Sequence, residues 1–336
     1  MSILNTYKTI DSFVKIEKEF KEDLSKVEKH LELMIKNQPT WFQDVINHLV
    51  KAGGKRIRPL LVCLSYSLVS DKPINPNTII MSAISEFVHT ATLFHDDVID
   101  DGKERRGKPT ANVIYGNHTA ILSGDFILGK VFQELDNIDN PKVLTSMIQT
   151  VVKLVEGEIH QMDMKKKDFV SFEDYERLIY LKTASLFEWS MMAGGYGAEV
   201  DKETIEKLRK MGNHIGNIFQ IVDDILDYTG SSILGKKRLQ DFSQGKITLP
   251  LLFLFKKDVA FFHEWKNLLQ SENEYELEKF GKKIISIIKK DDIQIEMKDY
   301  LQKEIDGIRD TLATFSDSKY KNYMNDLINF LISRMS

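Results

Sequence analysis

The apolar residues near the start of the chain are spaced as in an amphipathic helix. In the stretch SFVKIEKEFKEDLSKVEKHLELMI, residues 12–35, apolar side chains recur three or four positions apart, namely at Phe13, Ile16, Phe20, Leu24, Val27, Leu31 and Met34. Residues at this spacing share one face of an α-helix. We therefore predict helical structure here, with the apolar stripe buried and the charged residues facing solvent.

Helix-start signals and a long proline-free stretch extend this prediction along the chain. Asn140 precedes Pro141 as an N-cap followed by a proline in the first helical position. Ser171 and Asp174 have the spacing of a capping box. Between Pro141 and Pro250 there is no other proline, so no residue type that breaks helices interrupts this region.

The pattern predicts an all-α fold in a single domain. Alternating apolar and polar runs are few, and we find no strand–turn–strand signature. No Ser/Gly-rich linker or abrupt change of composition divides the chain. We therefore predict one helical domain over residues 1–336.

Two clusters of aspartate interrupt these apolar helices. TLFHDDVIDD (92–101) and FQIVDDILDY (219–228) each follow an apolar run, and each has carboxylates at i, i+1 and i+4, namely Asp96, Asp97 and Asp100, and Asp223, Asp224 and Asp227. Burying several ionised carboxylates is costly unless cations accompany them. Two such helices facing each other would form a set of hard oxygen ligands suited to Mg²⁺ bridged to a phosphate. Two solvated acidic helix faces are the simpler alternative.

Basic residues occur near the acidic motifs and are suited to binding phosphate. They are Lys55, Arg56 and Arg58 in GGKRIRP, Arg105 and Arg106 in ERRGKPT, and Lys182 in KTAS. Taken singly, such residues are commonly surface salt-bridge donors. Lys182, however, lies within an apolar helical pattern, where a lysine requires an anionic partner.

Composition narrows the class of protein. The chain has 336 residues, of which 42% are hydrophobic and 29% charged, with a formal net charge of −4. These values are typical of a soluble globular protein and do not favour non-specific nucleic-acid binding. Cys63 is the one cysteine, which excludes an intramolecular disulfide and predicts a buried thiol. We see no signal peptide or long apolar segment, so the sequence predicts a cytoplasmic protein.

Taken together, the motifs resemble those of the trans-isoprenyl (polyprenyl) diphosphate synthases, most of all the medium- and long-chain all-trans enzymes. The resemblance covers about residues 50–252 and rests, in order, on GGKRIRP, HTATLFHDDVIDD with RRGKPTAN, GDFILGK, KTASLFE, and FQIVDDILDYTG with GKKRLQDFSQGKITLP. It implies an isoprenoid-synthase-type bundle of antiparallel helices around a deep central cavity. The two acidic motifs would face each other at the mouth of that cavity.

The resemblance implies a role for each matching residue. Mg²⁺ ions, three in number, would bridge the allylic diphosphate to Asp96, Asp97, Asp100, Asp223, Asp224 and Asp227. The allylic diphosphate itself would be bound by Arg105, Lys182, Thr183, Gln220, Lys236 and Lys246. The second substrate, isopentenyl diphosphate, would be bound by Lys55, Arg58, His89 and Arg106. Of these, Asp96, Asp97, Asp100, Lys182, Asp223 and Asp224 are the candidate catalytic residues.

The implied reaction is prenyl transfer with repeated chain extension. Ionisation of the allylic diphosphate leaves a carbocation, which the double bond of isopentenyl diphosphate attacks. In the family the growing tail runs past the residues that precede the first acidic motif. Small side chains at Ala91 and Thr92 predict an unobstructed tunnel, continuing toward Val88 and Met147, and a product of about thirty carbons or more for quinone side chains.

Several alternatives stay open at this point. A short-chain farnesyl or geranylgeranyl diphosphate synthase has the same fold. A terpene cyclase needs no isopentenyl site, and a non-catalytic subunit of a heteromeric synthase lacks complete acidic motifs. A helical adaptor would leave the buried carboxylates unexplained. The resemblance implies a homodimer, with a small regulatory second subunit as the alternative, no nucleic-acid partner, and a product that is handed to a membrane.

Overall fold

The computed structural model describes residues 3–229, 239–271, 273–289 and 291–334, and helices make up most of this part of the chain. In chain order they are α1 (Ile3–Glu19), α2 (Lys21–Ile35), α3 (Thr40–Val50), α4 (Ile57–Val69), α5 (Pro76–Ile99), α6 (Ala111–Tyr115), α7 (Asn117–Asn137), α8 (Pro141–Met164), α9 (Phe172–Ile179), α10 (Ser185–Gly197), α11 (Lys202–Thr229), α12 (Gln240–Ser243), α13 (Leu249–Lys257), α14 (Val259–Gln270), α15 (Glu274–Ile288), α16 (Asp291–Ala313) and α17 (Lys319–Ser333). A π-helical segment, Tyr180–Ala184, joins α9 to α10. The all-α prediction is confirmed.

The predicted helix starts are confirmed by their hydrogen bonds. The side chain of Asn140 accepts a hydrogen bond from the backbone N–H of Lys142, and Pro141 begins α8. At α9 the Ser171 hydroxyl accepts from the Asp174 N–H while the Asp174 carboxylate accepts from the Ser171 N–H. Both arrangements satisfy backbone donors that a helix leaves unpaired in its first turn.

The predicted N-terminal stripe is buried, but the helix that carries it is broken at Phe20. Backbone angles of φ −96° and ψ 13° at this residue separate α1 from α2. Residues Phe13, Ile16 and Phe20 pack in one apolar cluster, whereas Val27 and the later members of the stripe pack in another. The break therefore lets one continuous sequence pattern contribute to two parts of the core.

The core consists of two apolar clusters on either side of α10. The first cluster contains residues of α1, α4, α11, α13, α16 and α17, and the second contains residues of α2, α3, α5, α7 and α8. Helix α10 packs against α4, α5, α8 and α11. Its side chains Phe187 and Trp189 are both fully buried, one in each cluster. This central position explains why most side chains of α10 are buried.

One small β-hairpin was not predicted from the sequence. Its strands β1 (Glu104–Arg105) and β2 (Lys108–Pro109) pair antiparallel across Arg106 and Gly107. Both turn residues have positive φ, 53° and 75°, as a two-residue hairpin with a type I′ turn requires. A strand of two residues is too short to show alternation, which is why the pattern gave no signal. The hairpin positions two of the predicted phosphate-binding arginines.

Across residues 3–229, 239–271, 273–289 and 291–334, no helix has the length and apolar character needed to cross a bilayer.

Candidate active site

Both acidic motifs open onto one cavity of about 1450 Å³. The first motif lies at the C-terminal end of α5 and the second at the C-terminal end of α11. The carboxylates that line the cavity are Asp96, Asp97, Asp100, Asp223, Asp224 and Asp227. The fold therefore brings together two motifs that are far apart in the sequence.

The three aspartates of the first motif have different surroundings. Asp97 is buried and accepts hydrogen bonds from Arg105 Nε at 3.0 Å and Nη2 at 2.8 Å. Asp100 accepts from Lys246 Nζ at 2.7 Å. Burial raises the pKa of Asp96, with Lys182 acting in the opposite direction. Additional positive charge in the cavity would relieve the cost of burying the Asp96 carboxylate.

In the second motif, Asp224 is held by protein donors on several elements. It accepts hydrogen bonds from Tyr175 Oη at 2.7 Å, from the backbone N–H of Leu249 at 3.0 Å, and from Gln220 Nε2 at 2.8 Å. Burial raises the pKa of Asp224 to about 7 in spite of these donors. Asp223 Oδ1 lies 3.5 Å from Nη2 of Arg334, the residue that follows α17. Donors on α9, α11 and α13 therefore fix the position of the Asp224 carboxylate.

Lys182 projects into the cavity from the π-helical segment. Its ammonium group contacts the Glu158 carboxylate and lies 3.3 Å from Gln161 Oε1. Although burial opposes it, the negative charges of Asp96 and Glu158 raise the pKa of Lys182, so the side chain is cationic. The next residue, Thr183, donates a hydrogen bond from its hydroxyl to Gln220 Oε1 at 2.7 Å. π-Helical turns are frequent at functional sites because they redirect side chains.

Two glycines allow the neighbouring helices to approach this π-helical segment closely. A Cβ atom at Gly157 of α8 would lie 2.8 Å from the backbone nitrogen of Lys182. A Cβ atom at Gly216 of α11 would lie 2.4 Å from the Cα of Ala184. Real Cβ atoms do not approach backbone atoms this closely. Glycine at both positions therefore permits the packing that places Lys182 and Thr183 at the cavity.

A second group of basic residues, three cations and one histidine, lines the same cavity. It consists of Lys55, Arg58, His89 and Arg106, the residues predicted to bind isopentenyl diphosphate. Burial lowers the pKa of Arg58 to about 10, still far above neutrality, and its guanidinium lies 4.6 Å from the ring centre of Phe187. Burial and the nearby arginines lower the pKa of His89, so its ring is neutral near pH 7.

Most predicted site residues are brought together, with one outside the described residues. Gln220 and Lys246 line the cavity beside the acidic motifs. Lys236 falls in 230–238, which lies outside the described residues. Among the residues that are described, no three His, Cys, Asp or Glu side chains are placed to hold a metal ion by themselves. Mg²⁺ bound jointly to a diphosphate does not need such a closed protein cage.

The residues predicted to set product length are divided between the cavity and the core. Thr92 lines the cavity. Ala91, Val88 and Met147 are fully buried in the second apolar cluster and are not among the cavity residues. The cavity wall on the side of α8 is instead formed by residues that include Val151, Leu154 and Val155.

Several cavity residues were missed by sequence reasoning. Glu158 and Gln161 lie three positions apart on α8 and hold Lys182, while Tyr175 holds Asp224. Arg334, which is far from Asp223 in the sequence, pairs with its carboxylate. The occurrence of Glu158 and Gln161 on the core-facing side of α8 could have indicated their role from the sequence. Nothing in the sequence around Tyr175 or Arg334 marks either residue.

Comparisons with known proteins agree with this geometry. Residues 39–288 match the family model described as polyprenyl synthetase. The octaprenyl diphosphate synthase of Escherichia coli is 41% identical over 206 residues, which are 61% of this chain and 63% of that protein, slightly less than two thirds of its length. Component 2 of the heptaprenyl diphosphate synthase of Bacillus subtilis is 35% identical over 287 residues, 84% of this chain and 80% of that protein.

A solved structure shows the same architecture over nearly the whole chain. It is that of a polyprenyl synthase from Caulobacter crescentus, complexed with calcium and isoprenyl diphosphate. It superimposes with a TM-score of 0.88 at 29% identity and covers 96% of this chain and 98% of the other. The motifs, the helical fold, the shared cavity and the family match agree, and we conclude that this chain belongs to the polyprenyl synthetase family.

Proposed function

We propose that this protein is a prenyltransferase that adds isopentenyl diphosphate to an allylic diphosphate in successive head-to-tail steps. The product would be a long all-trans polyprenyl diphosphate of about thirty carbons or more, a precursor of quinone side chains. The observation that supports this proposal is the cavity itself, in which two carboxylate clusters and two groups of cations face a common space. The names of the relatives are consistent with it.

The carboxylates fit Mg²⁺ by their chemistry and by their surroundings. We propose that the ions are held by the six aspartates that line the cavity, namely Asp96, Asp97, Asp100, Asp223, Asp224 and Asp227. Oxygen ligands of this kind, together with substrate phosphates and water, are what Mg²⁺ prefers. When bound, Mg²⁺ supplies positive charge that stabilises the departing pyrophosphate.

The protein groups around the allylic diphosphate would act on the leaving group. Lys182 and Thr183 enter the cavity from the π-helical segment, and Arg105 enters from the hairpin. We propose that they bind the diphosphate oxygens on which negative charge grows as the C–O bond breaks. Cations held in place before the reaction stabilise that charge without having to reorganise. Lys182 is held in this way because its ammonium group donates to the Glu158 carboxylate and to Gln161 Oε1.

The acceptor would be held by the second group of cations. Lys55, Arg58 and Arg106 would bind the diphosphate of isopentenyl diphosphate beside the neutral ring of His89. The acceptor's double bond then attacks the allylic cation, forming one carbon–carbon bond. The resulting cation loses a proton to the released pyrophosphate, which completes a product five carbons longer. Binding both substrates in one cavity converts their encounter into an oriented step.

We further propose a homodimer in which α8 packs against a second copy of the chain. Large apolar side chains of α8 are about half exposed and recur at intervals of four and three residues, namely Ile148, Val152, Val155, Ile159 and Met162. The last three of these also border the cavity, whereas Ile148 and Val152 do not. Ile121 and Leu122 of α7 are exposed as well. An apolar stripe of this length on a protein surface is typical of an interface.

Light scattering tests the homodimer. We expect about twice the chain mass of 38.8 kDa for the wild type and one chain mass for Val152→Lys. The matched control is Ile295→Lys, at an exposed residue of α16, which should leave the mass unchanged. An active wild-type enzyme of one chain mass would refute the homodimer. An isolated chain without activity would favour a required second subunit, since the Bacillus subtilis relative is called component 2.

The activity is tested by incubating the protein with labelled isopentenyl diphosphate, farnesyl diphosphate and Mg²⁺ and sizing the dephosphorylated products. We expect elongation that EDTA abolishes. Asp96→Ala, Asp223→Ala and Lys182→Ala should each lower turnover by orders of magnitude, because each removes charge used as the leaving group departs. Lys166→Ala, at an exposed residue, is the control. Near-wild-type turnover in Asp96→Ala would refute the assignment, and products of fifteen to twenty carbons would favour a short-chain synthase.

A further inference from the structure

Arg56 belongs to the GGKRIRP motif but does not face the cavity as its neighbours do. Lys55 and Arg58, on either side of it, line the cavity, whereas Arg56 is not among the cavity residues. Its backbone is left-handed, with φ 45° and ψ 40°, just before α4 begins. A non-glycine residue in this conformation is uncommon and costs free energy. Interactions of the side chain must therefore compensate for this backbone conformation.

The guanidinium of Arg56 is bonded to three different elements. Nη1 donates to Glu86 Oε1 of α5 at 2.6 Å, and Nε donates to Glu28 Oε1 of α2 at 2.7 Å. Nη2 donates to the carbonyl oxygen of Val50, at the end of α3, at 2.6 Å. Charge-assisted bonds of this length are among the strongest that side chains form. The side chain thus fixes the path of residues 53–58 against α2, α3 and α5.

Glu86 is the inner partner of this arrangement. It is 8% exposed and lies three residues, about one helical turn, before His89 on α5. Its negative charge also acts on the cavity arginines, because it raises the pKa of Arg58 and of Arg106 against the effect of burial. Repulsion by Arg106 lowers the pKa of Arg58, and repulsion by Arg105 and Arg56 lowers the pKa of Arg106. Glu86 therefore offsets repulsion within the group of cations that faces the cavity.

The same arrangement positions Arg106. A Cβ atom at Gly54 would lie 3.1 Å from Arg106 Nη1, so the Arg106 guanidinium packs directly against Gly54. The path of residues 53–58 consequently determines where Lys55, Arg58 and Arg106 lie relative to one another. A shift of this segment would displace all three cations together.

We propose that Arg56 and Glu86 are positioning residues of the acceptor diphosphate site. Arg56 does not bind the diphosphate. It ties the segment 53–58 to α2, α3 and α5, and Glu86 holds Arg56 while offsetting repulsion between Arg58 and Arg106. This inference rests on the proposed function, because it assumes that these cations bind the diphosphate of isopentenyl diphosphate.

The sign of the Glu86→Gln effect distinguishes this role from its alternatives. If Glu86 were only an acidic neighbour of the site, its removal would reduce repulsion of the diphosphate and lower the KM for isopentenyl diphosphate. If Glu86 positions the cations through Arg56, its removal raises that KM. If Glu86 only stabilised the fold, its substitution would lower the melting temperature. It would then change the KM values for the two substrates by similar factors.

The experiment measures kcat and both KM values for the full-length enzyme with Mg²⁺. For Glu86→Gln we expect the KM for isopentenyl diphosphate to rise at least about tenfold, while kcat and the KM for farnesyl diphosphate change less than about twofold. Arg56→Lys, which keeps the charge but loses the three-way bonding, should show the same selective rise. Glu22→Gln, at an exposed residue of α2, should change neither KM. Arg56→Lys gives an independent reading if Glu86→Gln does not fold.

Two results would overturn the proposal. One is an unchanged or lowered KM for isopentenyl diphosphate in folded Glu86→Gln or Arg56→Lys. The other is an equal rise in both KM values. Failure of the proposed function looks different, because the wild-type enzyme would then not extend the allylic substrate at all.

Discussion

The glycine at position 157 provides a sharp test of how the π-helical segment is held. Gly157 lies on the buried side of α8, where an added Cβ atom would meet the backbone nitrogen of Lys182 at 2.8 Å and the Leu181 carbonyl carbon at 3.1 Å. Both contacts are with backbone atoms, so no side-chain rotation can relieve them. In Gly157→Ala, α8 and the π-helical segment must therefore move apart.

The expected change in stability is small because two effects oppose each other. Forcing a methyl group into occupied space costs about 1–3 kcal/mol. Replacing a glycine inside a helix by alanine stabilises the helix by about 1 kcal/mol. The free energy of unfolding should thus fall by roughly 0–2 kcal/mol, which leaves the protein folded.

The expected change in activity is much larger. Moving the segment displaces Lys182 from Glu158 and Gln161, and with it the cation assigned to the leaving group. A displacement of about 1 Å at a positioned group can cost about a hundredfold in rate. We therefore expect kcat/KM to fall about ten- to a hundredfold in Gly157→Ala.

The assay compares kcat/KM with the melting temperature for Gly157→Ala and Glu156→Ala. Glu156 is the preceding residue and is exposed, so Glu156→Ala should leave both quantities close to the wild-type values. Full activity together with an unchanged melting temperature in Gly157→Ala would refute the reasoning. It would mean that α8 does not constrain the segment that carries Lys182.

Three further predictions follow from burial and from the shape of the cavity. Thr92→Tyr should shorten the product to about fifteen to twenty carbons, because Thr92 lines the cavity. Ala91→Tyr should mainly lower the melting temperature, because Ala91 lies in the core. Unchanged product length in Thr92→Tyr would place the end of the tunnel elsewhere. Burial raises the pKa of Asp224 to about 7, so the folded protein favours the protonated carboxyl group. The stability that this group contributes is therefore fully present below about pH 4 and is lost as the pH rises through 7. In thermal melts without metal, Asp224→Asn should therefore gain stability relative to the wild type over that range, and parallel curves would contradict this. Burial raises the pKa of Cys63 to about 12, so a thiol reagent at pH 8 should label native protein only as fast as it unfolds.

The sequence by itself determined the helical class, the helix starts and the kinds of side chain at the site. Helical periodicity and capping depend on residues within one or two turns, so they can be read locally. This is why the starts of α8 and α9 were correct to the residue. Six aspartates behind apolar runs also predicted a cation-binding site, because the cost of burying charge does not depend on the details of the fold.

Only the tertiary structure decided that these carboxylates line one cavity and which protein groups hold each of them there. In sequence, Asp96 and Asp97 are adjacent and indistinguishable, yet Arg105 of the hairpin holds Asp97. Likewise Tyr175 and Leu249 bind Asp224, although they come from α9 and α13. These partners lie far apart along the chain and are selected by helix packing. A local pattern carries no information about such contacts, because they depend on how close distant helices can approach.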